Sequence, residues 1–189
     1  MIINCDTDRF VHDVIEGNEY SMLFKDLVVV DVGCNIGTFS LWIAKCAMEI
    51  HAIDIAEENT TNLYKTIADN SIDNIYVYTA AITGFDGRVG VSRQGDPGMG
   101  GFCVTTGDLI PSFTLSTFMD VNDIPYIDVL KLDVEGAEKD IIQCESFPFT
   151  KISTIVGEWH YTLDDIKVPL EAHGFRVSTD KQNHFVARR

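Results

Sequence analysis

Basic residues are scarce in this chain: 14 lysines and arginines stand against 29 aspartates and glutamates among 189 residues, a net charge of -15 and a pI near 4.5. A surface of that sign repels a phosphate backbone or an anionic membrane before any specific contact forms, so neither nucleic acid nor membrane is expected as a partner. Closely spaced cysteines are also missing. The five present, Cys5, Cys34, Cys46, Cys103 and Cys144, are scattered and odd in number, which argues against a zinc knuckle and a disulfide framework and fits reduced thiols of a cytoplasmic protein. No apolar run reaches the ~20 residues of a membrane-crossing helix, and Met1 to Asp6 lacks the basic flank and apolar core of an export signal. Internal repeats and low-complexity tracts are absent. What is there is a 46% hydrophobic content, enough to bury the core of one domain spanning 1–189. Nothing in the pattern specifies an oligomeric state.

The run from Val28 to Val32 is apolar and β-branched around Asp31, and it opens directly into Gly33-Cys34-Asn35-Ile36-Gly37-Thr38 before a helical pattern. Such a run reads as a central parallel strand buried on both faces. The two glycines permit a sharp turn and a close approach to a ligand at the next helix's N-terminus. A dinucleotide loop places glycine where this chain has Asn35, whose side chain occupies that space and offers hydrogen bonds. Asp31 suits an ammonium better than a phosphate. The turn Asp31 to Gly37, with Cys34 and Thr38, therefore fits S-adenosylmethionine better than NAD, while a purely structural strand-to-helix turn stays open.

Strand and helix patterns then alternate. Thr7 to Gly17 reads as a helix within a short amino-terminal extension, 1–26. Glu49 to Asp54 reads as a second strand, Glu57 to Asn70 as an amphipathic helix, and Ile75 to Tyr78 as a third strand before Ala80-Ala81. Residues 83–108 break the rhythm with turn glycines and two strand-like pieces, Arg88 to Ser92 and Phe102 to Thr106. They form either a surface hairpin or a flap over an acceptor substrate. Tyr126 to Asp133 resumes the buried strand, followed by a helix from Ala137, a strand from Lys151 to Glu158, a helix from Thr162 and two terminal strands. This predicts an α/β fold with a doubly wound, mostly parallel sheet and an antiparallel carboxyl-terminal hairpin strand, its ligands at the carboxyl ends of the strands.

Acids gather at those ends. Asp54 stands about twenty residues beyond the glycine turn, where a carboxylate accepts ribose hydroxyls, with Ile55 beside it; capping the next helix is its other reading. Asp133 and Glu135 follow another strand, and Glu138 is read as closing a capping arrangement. Glu158 and His160 alternate at a further strand end and make an acid–base pair. Cofactor contacts are thus expected from Asp31, Gly33, Cys34, Asn35, Gly37, Thr38, Asp54, Ile55 and Ala81, and catalysis from Asp133, Glu135, Glu158 and His160. The same four residues could hold a divalent cation, since hard oxygen ligands with one imidazole suit magnesium or manganese, but no spacing demands it and no metal ligand is assigned.

Four segments carry a family resemblance over most of the chain after Leu27: Asp31 to Gly37, Ile53-Asp54-Ile55, Lys131 to Glu138, and Glu158-Trp159-His160. The chain resembles the FkbM methyltransferases, Lys131 to Glu138 being the most specific match. Asp54 and Ile55 replace that family's usual glutamate and proline. The resemblance implies a Rossmann-like class I methyltransferase that moves a methyl group from S-adenosylmethionine, usually to a hydroxyl oxygen of a sugar, polyketide or other small metabolite. Readings from other classes are an NAD-dependent oxidoreductase, against which Asn35 and the terminal hairpin argue, and a cofactor-binding module without chemistry.

Overall fold

Alternate residues of the first strand enter opposite cores. In the computed structural model, which describes residues 26–93, 101–181 and 183–189, β1 (Leu27–Val32) is buried along its whole length. Val28, Val30 and Val32 pack into one apolar cluster while Leu27 and Val29 pack into the other. Both faces of this strand are therefore covered, and burying each such side chain is worth about 1.5–3 kcal/mol.

The chain continues through α1 (Thr38–Ile43), β2 (Ala47–Asp54), α2 (Glu57–Asn70) and β3 (Ile75–Thr79). Next come β4 (Ala81–Ile82), β5 (Gly87–Arg93), β6 (Phe102–Phe113), α3 (Leu115–Val121), β7 (Ile127–Leu132) and α4 (Glu138–Ile142). The last elements are β8 (Ile152–Glu158), α5 (Leu163–Ala172), β9 (Arg176–Thr179) and β10 (His184–Arg188). Seven strands form the main sheet in the order β3-β2-β1-β7-β8-β10-β9. Its pairings are parallel except those that β10 makes with β8 and β9. This is the doubly wound arrangement expected, with its antiparallel strand near the carboxyl end. The order runs outward in both directions from β1 and β7, and the crevice beyond their carboxyl ends is where open α/β sheets take ligands.

A second sheet, ordered β4-β6-β5, is built by the segment that interrupts the alternation. Strand β6 runs on to Phe113, past the expected end at Thr106, because a register shift between Val89 and Gly90 lets the pairing continue. Helix α3 was not anticipated. Thr114 caps it by accepting the Thr117 N–H at 3.2 Å, and Leu115, Phe118 and Met119 bury its inner face. The expected helix from Thr7 to Gly17 lies outside the described residues, as do residues 94–100 of the glycine-rich segment. Among the described residues no helix is long and apolar enough to cross a membrane.

Candidate active site

The turn after β1 is shaped by its neighbours before it meets any ligand. Gly33 has φ +78°, and a Cβ there would fall 1.8 Å from the Asp133 carbonyl oxygen, so glycine lets the ends of β1 and β7 touch. Gly37 has φ +86°, and a Cβ there would fall 2.3 Å from the Leu63 side chain on α2. Between them Asn35 also takes a left-handed conformation, φ 51°, which asparagine tolerates better than most residues. Its backbone N–H donates to Asp54 Oδ2 at 2.8 Å.

Asp54 thus joins the two strand ends. Its Oδ1 accepts from the Ala56 N–H at 2.8 Å and from Asn59 Nδ2 at 3.1 Å. Burial raises its pKa, while the hydrogen bonds from Ala56, Asn35 and Asn59 pull the other way. Asp54 therefore tethers Ala56, the residue that precedes α2, and also lines the cleft.

Asp31 departs from expectation. Its carboxylate is 0% exposed, accepts from Ser40 Oγ at 2.6 Å and pairs with Lys131 Nζ at 3.2 Å. It does not line the cleft, so the expected direct contact with a ligand ammonium is replaced by an internal ion pair. Lys131, 3% exposed, also donates to the Gly33 carbonyl at 3.0 Å and stands 3.9 Å from Asp133. Burial, with the charges of Asp31 and Asp54, pushes the Cys34 thiol well above its ordinary value, leaving it an inert packed group.

Across the crevice Glu138, 1% exposed, anchors a carboxylate cluster. Its Oε1 accepts the N–H groups of Val134 at 3.0 Å and Gly136 at 3.3 Å, clamping the turn before α4 rather than capping the helix, and also pairs with His160 Nδ1 at 2.9 Å. That hydrogen bond raises His160 to about 9; burial opposes it, while the charges of Glu138, Glu158 and Glu135 reinforce it. Strand β8 ends at Glu158, yet the chain beyond it still carries His160 back. Asp133, Glu158 and His160 each offer a ligand atom, all within 4.8 Å of one another. Glu135 holds a left-handed backbone, φ 53°, and its Oε2 lies 3.5 Å from His160 Nε2. A glutamate held in that region is a local strain of the kind concentrated at functional sites.

Two adjoining cavities meet at this cluster. The first encloses about 620 Å³ of empty space, open mouth included, beyond the ends of β1 and β2; Gly33, Asn35, Asp54, Ile55, Asp133 and Glu135 all face it. The second encloses about 1140 Å³, mouth included, between the glycine-rich segment and the start of α4, with Phe85, Asp140, Tyr161 and Glu135 on its walls. Cys34, Gly37, Thr38 and Ala81 line neither. Gly37 and Thr38 instead shape the helix start, and Ala80, one residue before the expected contact, faces the first cavity. Glu158 and His160 stand behind the rim rather than on a cavity wall. Sequence reasoning did not place Asn59, Ile82, Phe102 or Val104 on the first cavity. Asn59 reaches it from the first turn of α2, five residues beyond Asp54, whereas Phe102 and Val104 arrive through the second sheet.

A doubly wound sheet with an antiparallel penultimate strand, a ligand cleft at its switch point and a carboxylate at the end of β2 defines a Rossmann-like class I methyltransferase. Solved structures of that class share the fold. The chain superposes on an rRNA methylase from Streptococcus thermophilus with a TM-score of 0.56 at 11% identity, covering 99% of this chain and 96% of that one. A precorrin-6y C5,15-methyltransferase from Geobacter metallireducens gives 0.58 at 14% identity, with 100% and 90% covered. TrmK from M. capricolum, in complex with S-adenosylhomocysteine, gives 0.61 at 11% identity, with 98% and 68% covered. No protein of curated function matches in sequence. Residues 31–177 match the methyltransferase FkbM domain, and the chain belongs to that family.

S-adenosylmethionine is the cofactor that goes with this family, and groups of a kind that could contact it line the first cavity. Asp54 offers a carboxylate, the Gly33–Asn35 turn offers backbone, and Ile53, Ile55 and Ile82 offer an apolar wall.

Proposed function

We propose that the chain methylates a hydroxyl oxygen of a small acceptor, a sugar, polyketide-like molecule or other metabolite, held in the second cavity. The observation that carries this reading is that Glu135 borders both cavities, which puts a carboxylate where cofactor and acceptor meet. Gly33, Asn35, Asp54 and Ile55 hold the cofactor, and Asp31 supports them from below through Lys131 and the Gly33 carbonyl. When bound, the cofactor supplies a methyl carbon activated by positive sulfur, which the acceptor oxygen takes as the carbon–sulfur bond breaks. An aliphatic hydroxyl is a weak nucleophile until its proton begins to leave. The Glu135 carboxylate accepts that proton. His160 has its Nδ1 engaged by Glu138 and borders neither cavity, so it positions Glu135 from 3.5 Å rather than acting as the base. We read the whole chain as one catalytic domain, with Cys103 and Val104 of β6 on the acceptor side.

Among the described residues no lysine or arginine lines either cavity, and the net charge of -15 opposes a phosphate backbone. Both favour a neutral or cationic acceptor over the RNA named for some structural neighbours. The test is incubation with methyl-labelled S-adenosylmethionine and a metabolite extract. Label on an acceptor oxygen, reduced about 100-fold or more in Glu135→Gln with S-adenosylhomocysteine binding retained, is the expected result. Unchanged turnover in that variant refutes the assigned base, and no transferred label favours a binding module without chemistry.

A further inference from the structure

We propose that Asp133, Glu158 and His160 form a binding site for one divalent cation of the magnesium or manganese class, beside the first cavity, which Asp133 lines. The three residues come from separate places: the residue after β7, the last residue of β8, and two positions beyond it. Their ligand atoms nevertheless lie within 4.8 Å of one another, the spacing of groups sharing one metal.

His160 is held as metal-bound histidines are. Its Nδ1 is fixed by a carboxylate, Glu138, which is itself clamped by the Val134 and Gly136 N–H groups. This arrangement orients the ring and leaves Nε2 as the ligating nitrogen. The remaining oxygen of the same buried carboxylate, Glu138 Oε2, has no hydrogen-bond partner among the described residues. It belongs to the same carboxyl group that holds His160, so a buried polar atom stands unpartnered next to the cluster. Four carboxylates, Asp133, Glu135, Glu138 and Glu158, surround one imidazole. The neighbouring ammonium, Lys131, already pairs with Asp31 and donates to Gly33. Two hard oxygens and one imidazole suit magnesium or manganese and leave positions for water. A cation there would lower the negative potential beside the Glu135 carboxylate, which lies 3.5 Å from His160. Only the consequence for methyl transfer rests on the methyl-transfer reading; cation binding does not.

The test is a titration of Mn²⁺ into the metal-free full-length chain, followed by the electron paramagnetic resonance signal of free Mn²⁺, with Mg²⁺ as competitor. One saturable site per chain is expected, weakened at least about tenfold in Glu158→Gln and in Glu138→Gln. Asp120→Asn should leave it unchanged, because Asp120 is 69% exposed and pairs with Lys151 at the opposite end of β8. Circular dichroism checks that the variants fold. If they do not, the wild-type stoichiometry decides, since weak multiple binding or none overturns the proposal. Equal affinity in folded Glu158→Gln and wild type overturns it too. Calorimetry with S-adenosylhomocysteine on the same samples separates the failures: uptake of that compound without a saturable Mn²⁺ site refutes the cation and spares the methyltransferase reading.

Discussion

Replacing Glu138 by glutamine removes the charge that holds His160 while keeping an oxygen for the Val134 and Gly136 N–H groups. In the native chain His160 is carried from 6.5 to about 9, chiefly by its hydrogen bond to Glu138. At 1.36 kcal/mol per pH unit that displacement corresponds to about 3 kcal/mol. The ring's side chain is 24% exposed, and water on its open side screens part of the interaction, which lowers the expected contribution to about 2 kcal/mol. The folded value lies above the unfolded one, so the stabilisation is complete below the unfolded value of 6.5 and is lost as pH rises through about 9. Urea unfolding of wild type and Glu138→Gln, with chelator present, should therefore show a stability gap about 2 kcal/mol wider near pH 6 than near pH 10. A gap of the same size at both pH values would refute the charged pair, leaving a neutral hydrogen bond as Glu138's contribution.

Two further substitutions probe the scaffold beneath the cleft. Lys131→Met leaves the Asp31 carboxylate buried without its cation and should cost about 3–5 kcal/mol in urea unfolding; a loss under about 1 kcal/mol would mean that water already screens Asp31. Gly33→Ala forces a Cβ into the Asp133 carbonyl and a disfavoured φ, so the melting temperature should fall by several degrees, about 2 kcal/mol or more, and an unchanged melting temperature would show that the β1–β7 junction relaxes freely.

The elements most legible from sequence were those whose pattern is dictated by burial on two faces. The apolar residues around Asp31 and Lys131 mark the two strands that form the switch point, and Glu57 to Asn70 keeps its helical period to the last residue. Helix α3 escaped notice because Leu115, Phe118 and Met119 supply only one turn of pattern after a glycine-rich stretch. That Asp54, Asp133 and Glu135 line the cleft is legible because strand direction fixes the rim that residues next to a strand end reach. Asp31 was misjudged for a related reason: one position further back, its side chain meets Lys131 on the adjacent strand instead of solvent, and register across β1 and β7 cannot be seen in one strand's sequence. Phe102 and Val104 reach the cleft only because β5 and β6 fold over it. His160 sits after β8 has ended, held by a carboxylate more than twenty residues earlier in the chain.

Isothermal titration of the chain with S-adenosylhomocysteine probes the cleft most directly. Saturable binding at one site per chain is expected, with affinity lowered about tenfold or more in Asp54→Ala, which removes the carboxylate bordering the first cavity. No detectable binding by the folded wild-type chain, or equal affinity in a folded Asp54→Ala variant, would contradict the placement of the cofactor between the ends of β1 and β2.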